Sequence, residues 1–256
     1  MNIEHIGSTN IVNITLGLIV VISFFLLHFA EMASFGSRIA GKVTKRVALG
    51  TTLQLSIVTM SRFFLIPFLP VLAYLVESGI IMVDYLVLLI FSFFLTFISS
   101  AFILFKLNIF QLFFQKMFVN YDNSTIPKAL FKTVFNKNKN ITLIPCPVFS
   151  KDKIVFKKML LSFLAYLFLV TGFFIAFMLG IIFPENRLTL SQLTAFFHGF
   201  GAIIVAVYLD PMLSRSMDIQ DDEESWTNNS YSIILGRVFS YLFVLLSVII
   251  LLFFQI

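Results

Sequence analysis

The chain has 256 residues, of which 59% are hydrophobic and only 12% are charged, with a formal net charge of +5. Soluble domains average about 45–50% apolar and about 25% charged residues, whereas the mean hydropathy here is +0.98. This composition excludes a soluble enzyme or binding domain and indicates an integral membrane protein.

Six apolar stretches are long enough, or nearly so, to cross a bilayer core about 30 Å thick, which requires about 20 apolar residues in a helix. Short strands of alternating polarity, which would favour a β-barrel, are absent. We therefore predict an all-α fold with one membrane domain over residues 1–256. The first stretch ends at His28 and Glu31 without a cleavage motif, so we expect it to remain uncleaved. The predicted spans are 11–32, 47–76, 85–105, 159–183, 190–209 and 233–254.

Lysine and arginine predict the orientation. They are concentrated in the turn after the first span and in segment 106–158, whereas the opposite side carries only Arg187. Cytoplasmic loops of membrane proteins are enriched in these residues. We therefore expect both termini outside, and the insert 106–158 and the acidic run 218–224 inside.

The end of the first span concentrates ionisable residues. At about 100° per residue, His28, Glu31 and Arg38 share one helical face if the helix continues through Gly36. His28 and Glu31 could form a proton-linked pair, since histidine titrates near neutral pH. Two alternatives stay open: both are solvated near the inner surface, or they pair with Arg38.

Arg62 gives the strongest functional signal. It lies 16 residues after Arg46, about 24 Å along a helix, which is too deep for its side chain to reach the inner surface. Pro67 and Pro70 follow it and predict a kink or break in the outer half of this span. An intramembrane arginine is usually functional, and its planar guanidinium suits phosphate. A structural ion pair with Glu31 or Asp210 is the alternative.

The insert between the third and fourth spans predicts two basic amphipathic helices on the inner leaflet. The first has a narrow polar edge of Asn108, Gln111 and Gln115, and the second follows Pro127. The acidic run 218–224 lacks the spacing of a calcium loop and reads as a solvated turn. Trp226 and Tyr231 after it are expected at the membrane interface.

The sequence lacks the motifs of several enzyme classes. The chain has no phosphate-binding P-loop, no H-E-x-x-H zinc helix and no G-x-S-x-G nucleophile motif. Cys146 is the only cysteine, so no intramolecular disulfide can form. His198 has no acidic or nucleophilic companion within a turn and is expected to pack near Gly201. We expect no catalytic residue, no metal and no cofactor.

Two groups of residues resemble the Amj family of bacterial lipid II flippases, which are alternates to MurJ. The first is the pattern H-x-x-E-x-x-x-x-x-x-R-x-A-G-x-x-T-x-R from His28 to Arg46, followed by Ser61 and Arg62. The second is Leu209 to Pro211, Asp218, and the Gly236–Arg237 pair. Segment 106–158 matches no part of the family pattern.

The resemblance implies movement of undecaprenyl-pyrophosphate-linked peptidoglycan precursor from the inner to the outer leaflet of the bacterial cytoplasmic membrane. Arg38, Arg62 and Arg237 are expected to meet pyrophosphate or carboxylates, with Glu31, His28 and Asp210 as their counter-ions. The partners would be this lipid-linked anion and membrane lipids; no nucleic acid is expected, and a homodimer is an open alternative. The other readings are a membrane enzyme acting on polyprenyl pyrophosphate, such as a phosphatase, and a non-transporting accessory subunit.

Overall fold

The computed structural model describes residues 3–122, 124–135, 143–145, 154–219 and 223–255. Within these ranges the chain forms helices joined by turns and contains no β-strand. The helices are α1 Ile3–Ala33, α2 Phe35–Val43, α3 Val47–Ser61, α4 Leu65–Glu77, α5 Met82–Phe105, α6 Leu107–Tyr121, α7 Ile126–Phe135, α8 Phe156–Ile182, α9 Arg187–Ser191, α10 Leu193–Ile204, α11 Asp210–Ile219 and α12 Glu223–Gln255.

Among the described residues, six helical segments are long and apolar enough to span a membrane, which confirms the predicted all-α, six-span fold of a multi-pass membrane protein. The first and the last two run well beyond their predicted limits, because apolarity marks only the part of a helix that faces lipid. Polar residues continue these helices where other helices cover them. The segments are Asn13–Val43, Val47–Glu77, Met82–Phe105, Phe156–Ile182, Pro184–Asp218 and Ser225–Phe254.

The second span is interrupted at its midpoint by a 3₁₀ turn, Arg62–Phe64, which separates α3 from α4. Pro67 cannot donate to the carbonyl four residues earlier, and its ring crowds that carbonyl. The break predicted from Pro67 and Pro70 is therefore present, with Pro67 in the first turn of α4 and Pro70 inside it.

The fifth span changes its helical geometry near its end, where a π-helical turn, Val205–Leu209, separates α10 from α11. Pro211 follows directly and lacks a backbone donor. Insertions of this kind inside helices occur frequently at functional sites. This one presents Asp210 as the first residue of α11.

Helices α1, α4, α5, α8 and α12 enclose the main apolar core. At its centre, Phe24, Phe68, Phe93 and Phe174 make tilted and edge-to-face ring contacts 4.9–5.7 Å apart. Phe24 also contacts the His28 ring at 4.3 Å. This aromatic cluster therefore seals one side of the charged cluster described below.

The α2–α3 hairpin depends on two glycines that pack against each other. A Cβ on Gly41 would lie 2.9 Å from the Gly50 Cα. Ser37 Oγ donates to the Gly50 carbonyl at 3.0 Å, across the same contact. The close approach fixes Arg38 on α2 relative to Gln54 on α3.

The insert forms the two helices α6 and α7 at the predicted positions, while residues 136–142 and 146–153 lie outside the described residues. The predicted polar edge of α6 is exposed only at Asn108, whereas Gln111 and Gln115 are buried. Both glutamine side-chain amides donate to the Ile144 carbonyl, at 2.9 and 2.6 Å, and Gln115 Oε1 accepts from the Ile144 N–H at 3.0 Å. These glutamines therefore bind the backbone of Ile144.

The acidic run and its neighbour Trp226 differ from expectation. Asp218 lies in α11 and Glu223 begins α12, while residues 220–222 lie outside the described part of the chain. Trp226 is 2% exposed and packs in a core cluster with Met217 and Leu213, so its prediction as an interfacial anchor is wrong. The polar start of α12 made this packing invisible to a hydropathy window.

Two basic residues at or just after the end of α2 contact two other segments at one end of the bundle. Arg46, after α2, forms an ion pair with Asp122 after α6 at 2.5 Å. Lys42 donates to the Met217 carbonyl of α11 at 2.6 Å. The turns expected on the inner side therefore share one end of the molecule.

Candidate functional site

Glu31 is the centre of a buried cluster of charged side chains. It lies in the last turn of α1 and is 5% exposed. Its Oε2 accepts from Arg237 Nη2 of α12 at 2.5 Å, and its Oε1 lies 3.4 Å from Arg62 Nη2. One carboxylate thus links two arginines from different spans.

Arg237 is enclosed by neutral polar and aromatic groups. Its Nε donates to the Tyr241 hydroxyl at 2.8 Å, and its guanidinium carbon lies 4.2 Å from the centre of the Tyr166 ring. Its Nη2 also lies 3.3 Å from His28 Nδ1. Tyrosine, carboxylate and imidazole together stabilise a cation that would otherwise be costly to bury.

His28 acts as an acceptor in this cluster. Its Nδ1 receives the Arg237 contact and lies 3.1 Å from the Tyr241 hydroxyl. Because guanidinium has only donors, Nδ1 is assigned without a proton. Its Nε2 is buried without a hydrogen-bond partner among the described residues.

Arg62 differs from Arg237 in both exposure and partners. Its side chain is 36% exposed, against 2% for Arg237. Its Nη1 lies 2.8 Å from His198 Nε2 of α10. Arg62 occupies the break between α3 and α4, halfway along the second span. The most accessible arginine of the cluster is therefore also the one nearest the middle of its span.

Arg38 and Asp210 form a second ion pair beside the first. Arg38 Nη2 donates to Asp210 Oδ1 at 2.8 Å. The Arg38 side chain is 1% exposed, whereas that of Asp210 is 35% exposed. Arg38 Nε and Nη1 are buried with no hydrogen-bond partner among the described residues. The pair therefore retains unused donor capacity on a buried cation.

The two ion pairs border one cavity between the spans, with about 70 Å³ of space for water. A water needs about 10–15 Å³ of such space, so the cavity has room for several waters. Gln54 Oε1, on its wall, is buried without a partner among the described residues. The polar lining comprises Glu31, Gln54, Arg62, Tyr166, Asp210 and Arg237.

The structure brings all six predicted site residues to this region. Three arginines and two carboxylates leave one net positive charge when the histidines are neutral. Neither of the two alternatives left open for His28 and Glu31 is present: both side chains are buried, and Glu31 pairs with Arg237 and Arg62. α2 begins after the turn at Ser34, and Arg38 reaches Asp210 instead.

Three further residues were missed by sequence reasoning. His198 was expected only to pack near Gly201, yet it contacts Arg62. Tyr241 lies four residues after Arg237, a spacing that places both on one helical face and could have revealed it. Tyr166 carries no such signal, since it contacts Arg237 only through the packing of α8 on α12.

The arrangement is suited to binding an anion. Guanidinium groups offer paired donors to phosphate or carboxylate, and the lining carboxylates occupy those donors when no ligand is bound. Among the described residues, no group of three or more His, Cys, Asp or Glu could hold a metal ion. Any function must explain a polar cavity that lies inside a membrane bundle, next to a cluster of side chains with a net positive charge.

Comparison with known sequences identifies the family. Residues 24–252 match the profile of the Amj family, described as Alternate to MurJ. Searches of curated proteins and of solved structures return no match. The matched region includes every residue of the charged cluster, from His28 to Tyr241. Because the match covers most of its length, the chain belongs to the Amj family.

Proposed function

We propose that this protein is a lipid II flippase, which moves undecaprenyl-pyrophosphate-linked peptidoglycan precursor from the inner to the outer leaflet of the bacterial cytoplasmic membrane. The carrying observation is the cavity bordered by Arg62, Arg237 and Asp210 within an Amj-family membrane bundle. The cluster around the cavity, counted with Arg38, carries one net positive charge, which suits a pyrophosphate head group. The polyprenyl tail needs no such site, since it remains in lipid.

The arginines have graded roles in this proposal. Arg62 meets the phosphate first because its guanidinium is partly exposed. Arg38 offers two unpartnered nitrogens close behind Asp210. Arg237 completes the positive field from a buried position. Glu31, His28 and Asp210 serve as the resident partners of these arginines when the head group is absent.

Transport requires a change of conformation. About 70 Å³ accommodates a few waters and not a sugar–peptide head group. The 3₁₀ turn at Arg62–Phe64 and the π turn at Val205–Leu209 border the cavity and supply two irregular points at which helices can bend. These features support a closed state in which each arginine is paired with a side chain of the protein itself.

The orientation and energy source follow from charge. The basic end, which includes Arg46 and Lys42, is assigned to the cytoplasm, so both termini lie outside.

An inside-negative potential then favours outward movement of an anion by about 2.3 kcal/mol per charge per 100 mV. The potential, or protonation at Glu31 and His28, drives the cycle. Flipping that is indifferent to both voltage and pH gradients contradicts this coupling.

The phosphatase alternative would use His198 or Asp210 for chemistry. Both groups already have partners: His198 Nε2 faces Arg62, and Asp210 accepts from Arg38. An enzyme should lose all activity in His198→Gln, whereas a flippase should tolerate it. An accessory subunit, the third reading, should tolerate Arg62→Ala.

The test is rescue of growth in a bacterium depleted of its lipid II flippases. The intact chain should restore growth, and equally expressed Arg62→Ala should not. Arg62→Lys should restore it only partly, because lysine keeps the charge and loses the planar fork. Arg46→Ala, at the basic end, is the matched control and should rescue fully. Failure of the well-expressed intact chain removes the proposal.

A further inference from the structure

A gap separates α3 and α4 of the broken second span from α10 of the fifth span. α10 packs against α8, α9 and the π turn, while α3 packs against α1, α2 and α11. No extensive packing joins α10 to α3 or α4 within the described residues. We call this gap the lateral slot.

The cavity borders on this slot. Leu55 and Val58 of α3 line it on one side and Val205 of the π turn on the other. Apolar residues thus flank the slot on its lipid side, while Glu31 and Arg237 lie deeper in the cavity. This change from apolar to charged matches a lipid with an apolar tail and an anionic head.

The contact between Arg62 and His198 joins the two sides of the slot. The 2.8 Å separation of Arg62 Nη1 and His198 Nε2 requires His198 to accept, because guanidinium has only donors. His198 is fixed to the α8 side: its ring lies 5.1 Å from that of Phe173. Gly201, one turn later, allows α10 close to α8, since a Cβ there would lie 2.8 Å from the Ala165 carbonyl.

We propose that the lipid-linked pyrophosphate enters the cavity through the lateral slot and displaces His198 from Arg62. His198 is then a positioning residue that occupies Arg62 until a phosphate takes its place. The identity of the substrate rests on the proposed function. The route and the exchange rest on the geometry of Arg62, His198 and the two helices that carry them.

The exchange is physically favourable at each step. A phosphate oxygen makes a shorter, charge-assisted hydrogen bond with guanidinium than neutral imidazole does, and it can engage two donors at once. Arg62 Nη2 also lies 3.4 Å from Glu31 Oε1, so the loss of His198 alone does not leave Arg62 as an unpaired cation in the membrane. The 3₁₀ turn at Arg62 supplies the bend that lets α3 and α10 move apart.

Cysteine accessibility tests the contact without requiring transport. Val58→Cys, in a Cys146→Ser background, is labelled with N-ethylmaleimide in proteoliposomes. His198→Phe, which keeps the ring and loses the acceptor, should raise the labelling rate roughly tenfold, the factor that such a hydrogen bond contributes to an equilibrium. His198→Gln, which retains an acceptor, should label at the parent rate. Leu246→Cys on α12 is the lipid-facing control and should be unaffected.

A second arm tests displacement by phosphate. Farnesyl pyrophosphate should raise the labelling of Val58→Cys in the parent and leave it unchanged in Arg62→Gln, and farnesol should have no effect in either. An equal effect of farnesol and farnesyl pyrophosphate overturns the exchange. If His198→Phe does not fold, His198→Leu replaces it; a labelling rate equal to that of the parent in the folded variant overturns the assignment of His198.

The two proposals fail separately. If the intact chain does not rescue growth but the labelling results are as expected, the proposal of lipid II flipping is rejected. The lateral slot is then the entry route for another anionic lipid. If growth is rescued but loss of the His198 acceptor leaves the labelling of Val58→Cys unchanged, the lateral-slot proposal is rejected and the proposed function is retained.

Discussion

Arg237 and Arg62 both reach the carboxylate of Glu31, yet their surroundings differ completely. Arg237 is held by Tyr241, Tyr166 and His28 and is 1% exposed. Arg62 has one neutral acceptor, His198, and a partly exposed guanidinium. The surroundings of the Glu31 carboxylate are therefore fully buried on the α12 side, which we call the closed side. They are partly exposed on the α3–α10 side, which we call the open side.

The difference separates structural stability from ligand binding. A cation with several fixed partners is costly to disturb and cannot readily turn to a ligand. A cation with one neutral acceptor can exchange it at little cost. We therefore expect changes on the Arg237 side to act mainly on folding and changes at Arg62 mainly on transport.

Glu31→Gln should have the largest effect, because it removes the shared carboxylate and leaves Arg237 buried without a counter-ion. Loss of one partner of a buried pair costs about 3–5 kcal/mol. The free energy of unfolding, measured by denaturant titration in detergent, should fall by that amount. Glu31→Gln with Arg237→Met should recover much of the stability while transport stays lost.

The control for Glu31→Gln is Asp84→Asn, in the exposed first turn of α5. A surface change of this kind should alter stability by less than about 0.5 kcal/mol. Equal effects of Glu31→Gln and Asp84→Asn contradict the central position of Glu31.

Replacing each arginine by lysine should separate the two sides directly. Arg237→Lys cannot contact Tyr241 and Glu31 while stacking on Tyr166, and loss of one hydrogen bond to a charged group costs about 1.5–3 kcal/mol. Arg62→Lys should change stability by less than about 1 kcal/mol, yet reduce flipping in vesicles about tenfold through loss of bidentate phosphate binding. A large loss of stability in Arg62→Lys with little loss in Arg237→Lys would contradict the distinction between a structural Arg237 and a ligand-binding Arg62.

Tyr241→Phe should have a smaller effect that is confined to the closed side. The change removes the hydroxyl that lies 2.8 Å from Arg237 Nε and 3.1 Å from His28 Nδ1. An unsatisfied buried partner costs about 1–3 kcal/mol. Unfolding in detergent should show this loss, and flipping per folded molecule should be retained. Tyr74→Phe, at an exposed site, is the matched control.

The contrast between the two sides also explains what the sequence could predict. Hydropathy located all six spans, and Arg62 stood out because a charge is rare at that depth. The break before Pro67 followed from the chemistry of proline. These features depend on residues near one another in the chain, so a pattern of residue types is enough to reveal them.

Pairings between distant helices could not be predicted in this way. Arg38 contacts Asp210, 172 positions away, and Arg237 contacts Glu31, 206 positions away. Either arginine could have paired with either acid at comparable charge and depth. The break at Ser34, the π turn before Asp210 and the close glycine contacts select the observed pairs, and each acts only after the helices have packed.

The smallest effect is expected at the Arg46–Asp122 pair, which serves as the reference for the others. Its atoms are 2.5 Å apart, as close as Arg237 and Glu31, but its side chains are 38% and 46% exposed. Water and salt screen such a pair, whose contribution is about 0–1 kcal/mol. A double-mutant cycle of Arg46→Gln and Asp122→Asn should give a coupling energy below about 0.5 kcal/mol, reduced further by salt.

The same cycle at Arg38 and Asp210 should give a larger coupling energy that depends little on salt, because the Arg38 side chain is 1% exposed. Equal coupling at the two sites would show that burial does not set the strength of these pairs.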